Sequence, residues 1–147
     1  MKIVTKTILE SEKCAKDFVS RIFDSPKKLK SARVFGLHGD LGAGKTTFMQ
    51  GVAKAFGVKE DVTSPTFVIE KLFKLKGGQF EHLVHIDAYR LESSRELVNL
   101  GWKEISENLK NIIFIEWPEK VADILPKHIE NIYFTHIDEN TREISFE

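Results

Sequence analysis

The sequence predicts an α/β protein of three layers, a mixed sheet of about seven strands flanked by helices. Three observations carry that prediction. Short runs rich in Ile, Val and Phe alternate with stretches whose apolar residues recur at helical spacing. One such run, Arg33–His38, leads straight into the glycine-rich segment Gly39-Asp40-Leu41-Gly42-Ala43-Gly44-Lys45-Thr46, after which a helical pattern begins. The chain then closes on two β-like stretches joined across Asp138-Glu139-Asn140-Thr141, which read as a final hairpin.

The glycine-rich segment fits the phosphate-loop pattern: glycine, any four residues, glycine, lysine, then serine or threonine. The chemistry explains the spelling. A loop that wraps a polyphosphate turns backbone N–H groups inward, and glycine permits the tight geometry. The amides of Leu41, Gly42, Ala43 and Gly44 are the predicted cradle. The helix that follows adds the positive end of its dipole. Lys45 supplies a movable charge for the terminal phosphates, and the Thr46 hydroxyl is a hard oxygen suited to Mg²⁺. Context separates this from a glycine-rich turn that binds nothing. A buried-type strand precedes the loop; Phe48, Val52, Ala53 and Phe56 follow at helical spacing, and Gly57 sits where a helix would end. The expected architecture is therefore P-loop NTPase-like.

Composition bounds the alternatives. The 147 residues suit one domain, 1–147, large enough to need no staple. Hydrophobic residues make up 41% and charged residues 30%, with a formal net charge of zero. A domain whose main task is gripping nucleic acid is usually clearly basic, so that class is disfavoured. Cys14 is the only cysteine, which excludes an internal disulfide and a cysteine-rich metal site. Met1–Glu10 mixes charged and apolar residues, and no long apolar run occurs, so the expected location is the cytoplasm, away from any membrane.

In chain order, Lys2–Leu9 reads as a strand, with Ser11 as N-cap of a helix that places Cys14, Ala15, Phe18, Val19, Ile22 and Phe23 on one face. Pro26–Lys30 is a solvated connector. Thr66–Leu75 and Phe80–Ile86, separated by Gly77-Gly78, read as an antiparallel pair. Ser93 or Ser94 caps a helix bearing Leu97, Val98 and Leu100, and Lys103–Leu109 is a second short helical segment. Asn111–Ile115 is an apolar strand, Val121–Leu125 a helical turn or two, and His128–Ile137 with Arg142–Phe146 the final hairpin.

A phosphate loop needs a carboxylate at the C-terminal end of a neighbouring strand. Asp87 ends Leu83–Ile86 and Glu116 ends Ile112–Ile115; spacing does not rank the two. Thr66, after Ser64-Pro65, stands where nucleotide switches place a phosphate-sensing threonine, although a plain turn threonine fits equally well. The histidines, His85 included, lack ligand spacing and read as structural, and Trp117 reads equally as core or as a residue that stacks on a partner.

Four blocks in order, Gly39–Thr47, Ser64-Pro65-Thr66-Phe67, His85–Leu91 and Ile115–Lys120, resemble the TsaE family, formerly YjeE. These are bacterial ATPases required for threonylcarbamoyl modification of tRNA adenosine. The resemblance implies ATP as nucleotide and Mg²⁺ held by Thr46 and Glu116, with Asp87 close by. It implies switch segments at Ser64–Thr66 and Asp87–Arg90, a nucleotide contact from Arg142, and another from the start of the first helix, where Glu12 is the nearest match. It also implies work in a complex with TsaB and TsaD, reaching tRNA through that complex, with weak hydrolysis alone. Against this stand a small P-loop kinase, a GTPase-like switch and a nucleotide-dependent binding module. Five arginines are few for a kinase clamp, and no Asn-Lys-x-Asp stretch reads guanine.

Overall fold

In the computed structural model, which describes residues 1–60 and 69–147, the elements follow the expected alternation. They are β1 (Lys2–Thr5), α1 (Ile8–Asp24), β2 (Arg33–His38), α2 (Lys45–Ala55), β3 (Glu70–Lys74), β4 (His82–Asp87), α3 (Ser94–Asn99), α4 (Trp102–Glu107) and β5 (Asn111–Glu116). A 3₁₀ segment (Pro118–Ile124), β6 (Glu130–His136) and β7 (Arg142–Phe146) complete them. The strands form one seven-stranded sheet in the order β1-β7-β6-β2-β5-β4-β3. β2, β4, β5 and β6 run parallel, while β1, β3 and β7 pair antiparallel, so the sheet is mixed, as expected.

Side-chain alternation along the central strands explains the layers. Every residue of β5 is buried, as a strand covered on both faces must be. Ile112 and Phe114 join the cluster under α1 and α2, where the Phe35 and Phe114 rings stack at 5.0 Å and Phe18 meets Phe35 edge-on at 5.1 Å. Ile113 and Ile115 face the other way, onto Leu97, Trp102 and Val121 of α3, α4 and the 3₁₀ segment. Cys14 is buried in the first cluster, and burial pushes its thiol above the ordinary range, as a packing residue requires.

The N-terminal boundary differs from the sequence expectation. β1 stops at Thr5, and the cap of α1 is Thr7, not Ser11. Thr7 Oγ1 accepts from the Glu10 amide at 3.1 Å, and the Glu10 carboxylate accepts from the Lys6 amide at 2.6 Å. This reciprocal bonding is that of a Thr-x-x-Glu capping box shifted by one residue, and it outweighs the strand propensity of Thr7-Ile8. Ser11 is instead buried within the helix, its hydroxyl 2.8 Å from that of Thr5. Phe23, expected on the buried face, is half-exposed at the edge, against Phe56 and Phe80. Ser93 caps α3 through a capping box with Glu96.

Helices α1 and α2 touch backbone to side chain at Gly51. A Cβ there would lie 2.8 Å from Ala15 Cβ and 3.1 Å from Glu12 Cα, so the helices approach only because Gly51 has no side chain. Gly51→Val therefore lowers stability by about 1–3 kcal/mol, the usual cost of overpacking. A fall in the urea midpoint at unchanged slope checks this.

Candidate nucleotide site

Parallel pairing brings three strand ends together. β2 and β4 both flank β5, and Asp87 stands beside Glu116 in register. The loop leaves β2 at the same edge and turns into α2. Ligands of open α/β sheets bind outside such carboxyl ends. A cleft of about 610 Å³ opens there, lined by Leu41, Gly42, Gly44, Lys45 and Thr46 from the loop, Asp87 and Glu116 from strand ends, and Arg142 from the hairpin.

The loop adopts the geometry its glycines permit: Gly42 has φ 81° and Gly44, capping α2, has φ 104°. Ala43 does not line the cleft. Its side chain is buried in the core and its amide donates to the Asp40 carbonyl at 3.1 Å. Lys45 is buried, its ammonium donating to the Gly39 carbonyl and lying 4.2 Å from the centre of the Trp117 ring. Burial pulls its pKa below the ordinary lysine range, against the opposing attraction of Glu116 and Asp87. The cation is thus held in a poorly solvated place, in direct contact with a carbonyl and a ring face and attracted by the nearby acids. A phosphate oxygen is a better partner than either.

Trp117 occupies the left-handed region, φ 57° and ψ 51°, alone among the described non-glycine residues. For a bulky residue this costs on the order of 1–2 kcal/mol. The turn aims the indole back over Lys45 and against Tyr89, ring centres 5.1 Å apart, while it also packs, partly buried, against the core cluster of Val34, Ile113 and Ile115. Arg142 is drawn inward by its own hairpin: its guanidinium donates to the carbonyls of Asp138 at 2.8 Å and Thr141 at 3.1 Å. Its Cγ stands 3.6 Å from the point where a Gly44 Cβ would lie.

The two acids differ. Asp87 accepts from the Tyr89 amide at 3.0 Å, holding the turn after β4. Glu116 is 3% exposed and bonds His85, Oε2 to Nε2, at 2.8 Å. No cluster of three or more His, Cys, Asp or Glu able to hold a metal occurs among the described residues. One hydroxyl and one or two carboxylates are nevertheless the donor set Mg²⁺ uses when phosphate and water complete its shell. Thr46 and Glu116 both line the cleft and fit that set.

Glu12 does not line the cleft; its carboxylate pairs with Lys54 at 3.3 Å on the outer side of α2. Because the helix begins at Thr7 rather than Ser11, the residues it offers are Thr7, Ile8 and Ser11. Thr66 lies outside the described residues, as does the rest of Ser64–Phe67. His85, read from the sequence as structural, is fully buried behind Glu116; sequence reasoning missed the hairpin residues Glu139 and Asn140, which border the cleft.

Comparison with known proteins agrees with this geometry. The family described as threonylcarbamoyl adenosine biosynthesis protein TsaE matches residues 9–144. The chain belongs to the TsaE family. The TsaE protein of Treponema pallidum, a tRNA threonylcarbamoyladenosine biosynthesis protein, is 35% identical over 117 residues, 80% of this chain and 83% of that one. The TsaE of Bacillus subtilis is 37% identical over 117 residues, 80% and 70% of the two chains. That of Rickettsia bellii is 33% identical over 139 residues, 94% and 91%. The crystal structure of Bacillus subtilis YdiB superposes with a TM-score of 0.74 at 29% identity, covering 99% of this chain and 83% of that one. As in the resemblance drawn from motifs, the TsaE match runs through loop, strand ends and hairpin together. No helix of this TsaE-family chain, among the described residues, is long and apolar enough to cross a membrane.

Proposed function

We propose that this chain is the ATP-binding and ATP-hydrolysing subunit of a cytoplasmic tRNA threonylcarbamoyladenosine system, one domain acting with TsaB and TsaD and reaching tRNA through them. The observation that carries the reading is convergence. The phosphate loop, a nearly buried strand-end glutamate and the hairpin arginine border one cleft, in a chain of the TsaE family.

In this reading the amides around Gly42 and Gly44 receive the phosphates, and Lys45 leaves the Gly39 carbonyl to bind the terminal ones. Thr46 and Glu116 would hold Mg²⁺, whose contribution when bound is to neutralise phosphate charge. Arg142 lies close enough to Gly44 to contact the nucleotide as its guanidinium exchanges carbonyl partners for phosphate. Asp87, holding the turn that carries Tyr89 and Arg90, and Thr66 link the nucleotide state to partner contact.

Phosphate release from ATP, followed with and without Mg²⁺ and with GTP as competitor, tests the reading. We expect slow, Mg²⁺-dependent release that GTP at equal concentration suppresses poorly. Transfer of the label to a small acceptor in place of release contradicts it and favours a kinase.

A further inference from the structure

We propose that His85 is a positioning residue for the nucleotide site. It holds the Glu116 carboxylate in the orientation in which that group takes a divalent cation. This rests on the reading of Glu116 as a Mg²⁺ ligand.

The imidazole is fully enclosed, with no exposed surface, on the strand that also carries Leu83 and Asp87. In register His85 stands opposite Phe114, as Asp87 stands opposite Glu116, so its ring lies diagonally behind the glutamate on one face of the sheet. There Nε2 meets Glu116 Oε2 at 2.8 Å. An ionised carboxylate can only accept, so Nε2 carries a proton and donates it to Glu116. Nδ1 is buried and has no partner among the described residues.

That orphan is informative. Burying a polar ring atom without a partner costs free energy, and a leucine or phenylalanine would fill the same space without that cost. The surroundings are apolar, Leu83 and Phe114 both being fully buried. The interaction that repays the imbalance is the bond to Glu116. It engages Oε2 and restrains rotation of the carboxylate, leaving Oε1 unengaged by His85 in a residue that lines the cleft. Groups that orient metal-binding side chains in this manner change metal affinity by about 10–100-fold when removed.

The test is ATP binding, measured by calorimetry across a series of Mg²⁺ concentrations in wild type, His85→Leu and His85→Gln. Leucine keeps the volume and removes the donor; glutamine restores an N–H. His85→Leu raises the half-saturating Mg²⁺ concentration by about 10–100-fold, leaves metal-free ATP affinity unchanged, and His85→Gln recovers part of the loss. A Mg²⁺-dependent wild type matched by a folded His85→Leu overturns the proposal alone. A wild type indifferent to Mg²⁺ overturns the metal reading of Glu116, and this proposal with it. Should the leucine variant not fold, long-range ¹H–¹⁵N spectra of the wild-type imidazole decide. A ring protonated at Nε2 that shifts when Mg²⁺ joins bound ATP supports the role; one protonated at Nδ1 alone, or unmoved by Mg²⁺, overturns it.

Discussion

Replacing Lys45 with alanine lowers ATP affinity by about 100-fold, the product of one or two lost hydrogen bonds to charged groups at about 1.5–3 kcal/mol each. The structure explains why this side chain dominates. Its side chain is buried, its pKa is lowered by desolvation, and its direct contacts are the Gly39 carbonyl and the face of Trp117, with Glu116 and Asp87 attracting it from further off. None of these pairs with it directly as an anion. A terminal phosphate does, so much of the binding energy falls on one contact. The fold should survive the change, because the alanine removes an incompletely solvated charge from a cleft rather than a packed group from a core. Calorimetric titration with ATP measures the effect; an affinity within a few-fold of wild type contradicts the role.

Glu116→Gln has the other large effect, on a different quantity. Mg²⁺-dependent phosphate release falls by about 100-fold or more, while ATP binding without metal changes only a few-fold. The substitution keeps the shape of the side chain and an oxygen that accepts from His85, so the strand end keeps its packing. What is lost is the negative charge a divalent ion requires. Titrations with ATP in EDTA, beside release assays in Mg²⁺, separate the two quantities. Equal loss in both points to a defect of folding instead.

Much of this was legible in the sequence because the signals are local or periodic. Gly39–Thr46 announces its own geometry through glycines that must take positive φ, and the apolar runs of β2, β4 and β5 announce burial on both faces. The seven strands and the closing hairpin follow from alternation and turn chemistry. What escaped depends on register and on contacts distant in sequence. The bond between His85 and Glu116 spans 31 residues and exists because β4 and β5 pair in one register and not its neighbour. The different surroundings of Asp87 and Glu116 likewise had no sequence signal: one accepts from the Tyr89 amide, the other bonds His85. The cap of α1 fell at Thr7 and not Ser11, a competition between strand propensity and a capping box that pattern alone decided wrongly, and Glu12, matched only through the family resemblance, pairs with Lys54 outside the cleft. Trp117 needed its left-handed backbone to reach Lys45, and the residue before a proline gives no such hint.

The measurement that bears most directly on the central claim is phosphate release from ATP by this chain alone and with purified TsaB and TsaD, with Lys45→Ala as control. The account predicts slow release alone and strong stimulation by the two partners together, abolished in the variant. Full activity of the isolated chain, indifferent to the partners, would contradict it and mark the chain as an independent ATPase.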